Sequence, residues 1–437
     1  MNSENWHARN AEPWAPLLGE EERAQATETL IEIVGGLEEF FRLRPVFDHG
    51  FPSGSAELSL GTGHAGLALL FLEAEKVLGE AISEGTGDRI LSETLESLPL
   101  VTPSPSFFYG YPGVAWLVAH LERRGLIEES PDALDAIEEA LLGTLKDPPR
   151  DRAVHDVVLG LLGIGIYALE RYPKGRSGEI AGRLLDVLEA AALKTPEGLC
   201  WQATPEQLPA GDRKKFKSYL SPGVSHGVAG VAGFLGGCCA LPELEARAMP
   251  LLEGAFSWLL AHSAPFENGA NFPLLIRPNG QRRAAPHAWC HGDPGISAVL
   301  HRAARSAGRE DWQREIEVLA KRSARVRDLE EDRGDPGICH GSAGRAHLYS
   351  RLYHATGDAD FGQAARFWLQ EALAVRSPGV GLAGYSGELL PNVEPAKGLY
   401  RSAPSAPGLR CGVAGVALTL LAAIDAQDPS WDRAFLF

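Results

Sequence analysis

Two dipeptides in the second half of the chain carry residue types that could do chemistry together: Cys290-His291 and Cys339-His340, each followed directly by glycine. Thiolate sulfur and imidazole nitrogen are a donor pair that suits zinc in tetrahedral geometry. A structural zinc site usually draws four protein ligands from close pairs such as Cys-x-x-Cys, and this chain has no such pair. Three protein ligands and one open position describe a catalytic centre instead. A thiol arriving at that position would lose its proton at neutral pH, where a free thiol of pKa about 8.5 is only about a few per cent ionised. Ser225-His226 and Arg410-Cys411 also stand directly before glycines. His titrates near neutral pH, so His226 is a candidate proton donor for whatever the activated sulfur attacks.

These dipeptides occupy one slot in a repeat. The pattern Gly-x-x-Gly followed by an apolar helical run occurs seven times, at Gly63/Gly66, Gly110/Gly113, Gly160/Gly163, Gly227/Gly230, Gly292/Gly295, Gly341/Gly344 and Gly412/Gly415. First glycines are separated by between 47 residues (Gly63 to Gly110) and 71 (Gly341 to Gly412). A unit of that length holds two helices and their connections. Stretches such as ALDAIEEALLGTL and DWQREIEVLAKRSARV lie between the motifs, with apolar residues at three- and four-residue spacing. Each unit therefore reads as an amphipathic outer helix and a more uniformly apolar inner one. Inner helices lining a closed ring would bring equivalent slots to one rim, which is how Cys290 and Cys339 could meet. Three spacers are longer: 196–224, 263–289 and 377–410. Rich in Pro, Gly and aromatics, they read as irregular loops or short hairpins on the rim that carries the reactive residues.

Bulk properties narrow the field. A net charge of -16 and a pI near 5.3 argue against a nucleic-acid partner, whose affinity would need clustered Lys and Arg. A long stretch without Asp, Glu, Lys or Arg, residues 218–242, contains Pro222, His226 and many glycines; it suits a loop running into a buried helix, and no integral membrane protein is expected. No basic segment followed by an apolar core opens the sequence, so a cytoplasmic protein is expected, with any membrane association arising through partners. Six cysteines in 437 residues make no disulfide framework. Cys200, Cys238, Cys239 and Cys411 read as small buried residues.

The elements Trp289-Cys290-His291-Gly292-Asp293-Pro294-Gly295, Cys339-His340-Gly341-Ser342-Ala343-Gly344 and Ser225-His226-Gly227 resemble the signature motifs of the lanthionine synthetase C family. The resemblance covers the whole chain, including the seven-unit count. It implies an all-α fold, an α/α toroid with a double ring of seven inner and seven outer helices, as one domain over 1–437 with repeats from about residue 25 to 430. It also implies one zinc held by Cys290, Cys339 and His340, and closure of thioether rings by Michael addition of peptide cysteine thiols to dehydroalanine or dehydrobutyrine. Attack at the β-carbon gives an enolate that needs a proton at the α-carbon. His226 matches the family histidine proposed as acid and base, and Asp156, in His155-Asp156-Val157, matches the family's aspartate ahead of the third glycine motif. In this reading Asp156 orients and charges His226; on its own it also reads as a helix cap. The implied partners are a dehydrated precursor peptide, a separate dehydratase and a transporter. Two positions depart from the family: His291 stands where tyrosine is frequent, and Pro286 stands where some members have arginine, with Arg282 and Arg283 further upstream.

Other readings of the same residues stay open at this point. Addition of glutathione to dehydrated residues would want cations at the rim, for which Lys214, Lys215 and Lys217 are the candidates. A non-enzymatic zinc scaffold that binds peptide would want a fourth protein ligand, such as Cys411 or His291. A glycoside hydrolase on a helical ring would need two acids flanking a cleft and would leave the Cys-His pairs unexplained.

Overall fold

A helix apolar on every side can sit only in an interior, whereas one with a single apolar stripe can cover that interior from outside. The chain alternates the two. The computed structural model describes residues 13–43, 55–130, 132–204, 207, 219–277, 279–327, 334–385 and 407–437. The outer helices are α1 (Glu20–Leu43), α3 (Thr86–Ser97), α5 (Asp135–Lys146), α7 (Ser177–Ala191), α9 (Glu245–Ala261), α11 (Glu310–Ala324) and α13 (Ala359–Ala374). The inner ones are α2 (His64–Leu78), α4 (Tyr111–Arg124), α6 (Leu162–Arg171), α8 (Val228–Cys239), α10 (Asp293–Ser306), α12 (Ser342–Thr356) and α14 (Val413–Ile424). Every residue of α8 is buried, while α11 buries Trp312, Ile316 and Ala320 on one stripe and exposes its charges.

Each inner helix packs on the next, and α14 packs back on α2, which closes the ring. An inner helix is backed by the outer helix that follows it, with one exception: α14 is backed by α1. Leu17 N donates to the Ala423 carbonyl at 3.0 Å and Trp14 Nε1 to that of Ala422 at 2.9 Å, tying the segment before α1 to the end of α14. The expected α/α toroid of seven inner and seven outer helices is what the described residues form.

The spacer 263–289 folds as one of the expected short hairpins, but two features go beyond the expectation. The spacers 196–224 and 263–289 contribute strands to a shared antiparallel sheet: β3 (Gln202–Ala203) and β4 (Tyr219–Leu220) from the first, β5 (Pro273–Ile276) and β6 (Arg282–Ala284) from the second, in that spatial order. A separate hairpin, β1 (Leu193–Thr195) with β2 (Gly198–Cys200), leads into it. The inner helices also carry buried ion pairs toward their C-terminal turns. Glu73 of α2 accepts from Arg124 of α4 at 2.8 and 3.0 Å, and His120 of α4 lies between Glu73 and Glu170 of α6. The segment Ser430–Phe435 and the residues after it fill this side of the ring, with Trp431, Phe435 and Phe437 buried and Asp432 paired to His347 and Arg351 of α12.

Candidate active site

The slots before the glycine motifs are strung together by backbone hydrogen bonds between successive repeats. Val157 N donates to Ser225 O (2.8 Å), Ser225 N to Cys290 O (3.0 Å), Trp289 N to Cys339 O (3.0 Å), Cys339 N to Arg410 O (2.9 Å), Arg410 N to Gly61 O (3.0 Å) and Gly61 N to Phe108 O (2.8 Å). The chain thus circles the rim at the N-terminal ends of the inner helices. Glycine is needed here because the turns are tight: a Cβ on Gly344 would stand 1.8 Å from the Ile338 carbonyl oxygen, and one on Gly341 2.4 Å from that of Asp335.

This rim brings Cys290, Cys339 and His340 together, with one potential ligand atom from each lying within 4.8 Å of the others. Both cysteines are buried and reduced. His340 turns Nε2 toward the Cys339 sulfur at 3.5 Å and Nδ1 toward Asp335 Oδ2 at 4.0 Å. Burial alone would depress the His340 pKa, but the Cys339 sulfur beside it, with that of Cys411, holds it well above the usual value. Two soft sulfurs and one imidazole, the latter backed by a carboxylate, are a donor set that fits a zinc ion. Asp335 is held by Gly337 N, which donates to Oδ1 at 2.8 Å.

His226 and Asp156 also meet: Nδ1 lies 2.6 Å from Oδ2. The other carboxylate oxygen of Asp156 accepts from Val158 N (2.8 Å) and Leu159 N (2.7 Å), so the residue caps its own turn while it grips the histidine. Burial would raise the Asp156 pKa; the His226 charge and hydrogen bond, with that of Leu159 N, bring it below the usual carboxylate value. The ring of His291 lies 5.4 Å from that of His226, linking the His–Asp pair to the Cys290 turn. Burial, then the neighbouring His226 and His340, depress His291 to about 3, so it is a neutral imidazole.

Several residues at this site were not singled out in the sequence. Besides Asp335, Arg345 in the first turn of α12 donates from Nε to His287 O and from Nη2 to His340 O, both at 2.6 Å, and so ties the two cysteine-bearing turns together. Its signal was present: a lone arginine just after Gly341-Ser342-Ala343-Gly344, opening a helix that the pattern buries. Arg410 and Tyr109 also reach the cluster, with Arg410 Nη1 3.3 Å from the Cys339 sulfur and its Nη2 donating to the Tyr109 hydroxyl. Cys411 corrects an expectation. It is half-buried against the core rather than fully buried, and the neighbouring Cys339 with burial pushes its thiol well above the usual range. Arg282 and Arg283 are exposed on β6, and Lys214, Lys215 and Lys217 lie outside the described residues.

A family model described as "Lanthionine synthetase C-like protein" matches residues 54–436. Among solved structures, one titled nisin cyclase superposes with a TM-score of 0.71 at 18% sequence identity, covering 94% of this chain and 97% of its own. A sugar epimerase from a ruminal bacterium follows with a TM-score of 0.47 at 11% identity, covering 92% of this chain and 98% of its own. At 18% identity the likeness to the first is one of fold. No helix among the described residues is long and apolar enough to cross a membrane.

Proposed function

The chain belongs to the lanthionine synthetase C-like family, and from that premise we propose that it is a zinc-dependent cyclase, adding cysteine thiols of a peptide to its dehydroalanine or dehydrobutyrine residues. The observation that carries the reading is the meeting of Cys290, Cys339 and His340 within 4.8 Å beside the 2.6 Å His226–Asp156 pair. A zinc ion held by the three residues would supply a Lewis-acidic position at which an incoming thiol is ionised at neutral pH. The remaining work falls to the chain itself. As the C–S bond forms at the β-carbon, the double-bond pair moves onto the carbonyl oxygen, and the α-carbon must gain a proton. His226 delivers it. Asp156, anionic and fixed on Nδ1, assigns proton exchange to Nε2 and stabilises the charged ring. Neutral His291, next to both, adds no positive charge that would compete with that of His226. The electrophile must come from a reaction that removes water from serine or threonine, so a separate dehydratase acts first on the same peptide.

Cys411 favours one second reading. As a fourth protein ligand it would close the centre, leaving a structural metal and a peptide-binding scaffold. Against that stands the composition of the close group, which is Cys290, Cys339 and His340 without Cys411.

Elemental analysis of the wild type, Cys290→Ala and Cys339→Ala is the first test, with about one zinc per chain expected in the wild type and loss in both variants at unchanged helical circular dichroism. Ring closure conserves mass, so it is followed on a dehydrated peptide by the fall in alkylatable thiols. Zinc without any such fall would leave the scaffold reading, and no zinc in the wild type would remove both.

A further inference from the structure

Arg410 takes the same slot in its repeat that Cys290 and Cys339 take in theirs, and its side chain points at their chemistry. Nη1 lies 3.3 Å from the Cys339 sulfur, Nη2 donates to the Tyr109 hydroxyl, and the guanidinium carbon stands 5.4 Å from the centre of the Tyr109 ring. Nε is buried without a partner. No carboxylate among the described residues pairs with this guanidinium. Structural arginines of the same molecule are satisfied differently: Arg124 by Glu73, Arg123 by the Glu170 and Tyr172 carbonyls, Arg345 by the His287 and His340 carbonyls. Even a partly buried cation is costly unless negative charge offsets it, and here the nearest candidates are sulfurs.

The charge count at the cluster says why a cation belongs there. Two protein thiolates cancel the charge of a divalent zinc. A third thiolate, from substrate, would leave a net negative charge beside two buried cysteines. We propose that Arg410, oriented by Tyr109, is a positioning residue that balances this charge through the Cys339 sulfur and thereby selects an anionic sulfur donor for the open position. The inference rests on the metal reading above and deepens it. It also explains why the cation sits on a sulfur: hydrogen bonding there draws charge from the protein ligand and leaves the metal better able to bind a third thiolate.

The test uses full-length protein loaded with cobalt in place of zinc, so that thiolate binding is read from the sulfur-to-cobalt charge-transfer absorption. Wild type, Arg410→Gln, Arg410→Lys and Tyr109→Phe are titrated with 2-mercaptoethanol, whose bound form is anionic, and separately with imidazole, which binds neutral. In Arg410→Gln, loss of the charge-assisted contact should weaken thiol binding roughly tenfold or more and leave imidazole binding unchanged. Arg410→Lys should recover most of the thiol affinity, and Tyr109→Phe should lose part of it. Equal thiol affinity in wild type and Arg410→Gln overturns the proposal, as does a parallel loss of thiol and imidazole binding, which would mark a purely structural role. If Arg410→Gln takes up no cobalt, Tyr109→Phe decides, and unchanged thiol affinity there overturns the proposal. A wild type that binds neither cobalt nor zinc fails at an earlier point, because the metal reading then falls first.

Discussion

Replacing Asp156 by asparagine would keep an acceptor for the Val158 and Leu159 amides while removing the charge behind His226. Turnover should fall by about 10²–10⁴, the range in which a positioned acid or base contributes, with zinc content unchanged. A rate within twofold of the wild type, measured by thiol alkylation of a dehydrated peptide, would rule the pair out as the proton source. Arg345→Met tests the clamp between the two cysteine turns. Losing two hydrogen bonds from a buried cation to the His287 and His340 carbonyls should cost about 3 kcal/mol in the metal-free protein, read by urea unfolding. It should also weaken zinc in competition with a chelator, because the Trp289 N to Cys339 O bond then links the two turns without the Arg345 clamp. Cys290, Cys339 and His226 were legible in the sequence because they share a slot in a repeat. Asp156 was legible only through family resemblance, since it stands four residues before its glycine and outside that slot. Asp335 was not legible at all, and Tyr109, although it stands in that slot before Gly110, was not marked by its residue type. Each acts on a group from a fold-determined neighbour, and neither residue type is unusual where it stands.

The turns that begin the inner helices are the elements on which the site depends, and their glycines are where a single methyl group would be felt most. In Gly344→Ala the new Cβ would meet the Ile338 carbonyl at 1.8 Å, so the Ile338–Cys339 turn must move. Overpacking of this kind costs about 1–3 kcal/mol, and moving a ligand should lower zinc affinity at least as much as stability. Thermal melts with and without zinc would separate the two effects; equal melting shifts in both would show that the turn does not set the metal. The helix pairs themselves could be read from periodicity, because a stripe of apolar residues or its absence is a local property. The four-stranded sheet could not. Its strands are two to four residues long, and the one pairing that joins the two insertions, β4 with β5, is a single residue pair that neither insertion alone could signal. Buried charges on α2, α4 and α6 escaped notice for a related reason: each looks like an ordinary exposed helix end until its partner on the next helix is seen.

At the scale of the whole ring, the ion pairs below the site tie stability to pH. Burial would raise the Glu73 pKa, but hydrogen bonds from His120 and Arg124 bring it down to about 2 from an ordinary 4.5. A folded value below the unfolded one means that the stabilisation is complete above pH 4.5 and is lost as pH falls toward 2. The size is about 3 kcal/mol at most. Glu73→Gln should therefore be less stable at pH 7 and lose less on acidification, and urea unfolding across that range would show parallel curves if the pairing contributed nothing. The closure of the ring by α1 against α14 has a consequence for how the protein is made. During synthesis α1 leaves the ribosome before the other helices of the ring and its partner after them, so the ring stays an open crescent with one apolar flank uncovered until α14 emerges. Folding of the final hairpin waits on a contact of nearly maximal separation along the chain, which is slow to form and exposed to aggregation meanwhile. Since Arg410 reaches Gly61 only when the circle closes, the metal turns are completed at the same moment. Ribosome-stalled chains ending before Val413 should keep α1 open to protease, whereas chains released beyond Phe437 should protect it.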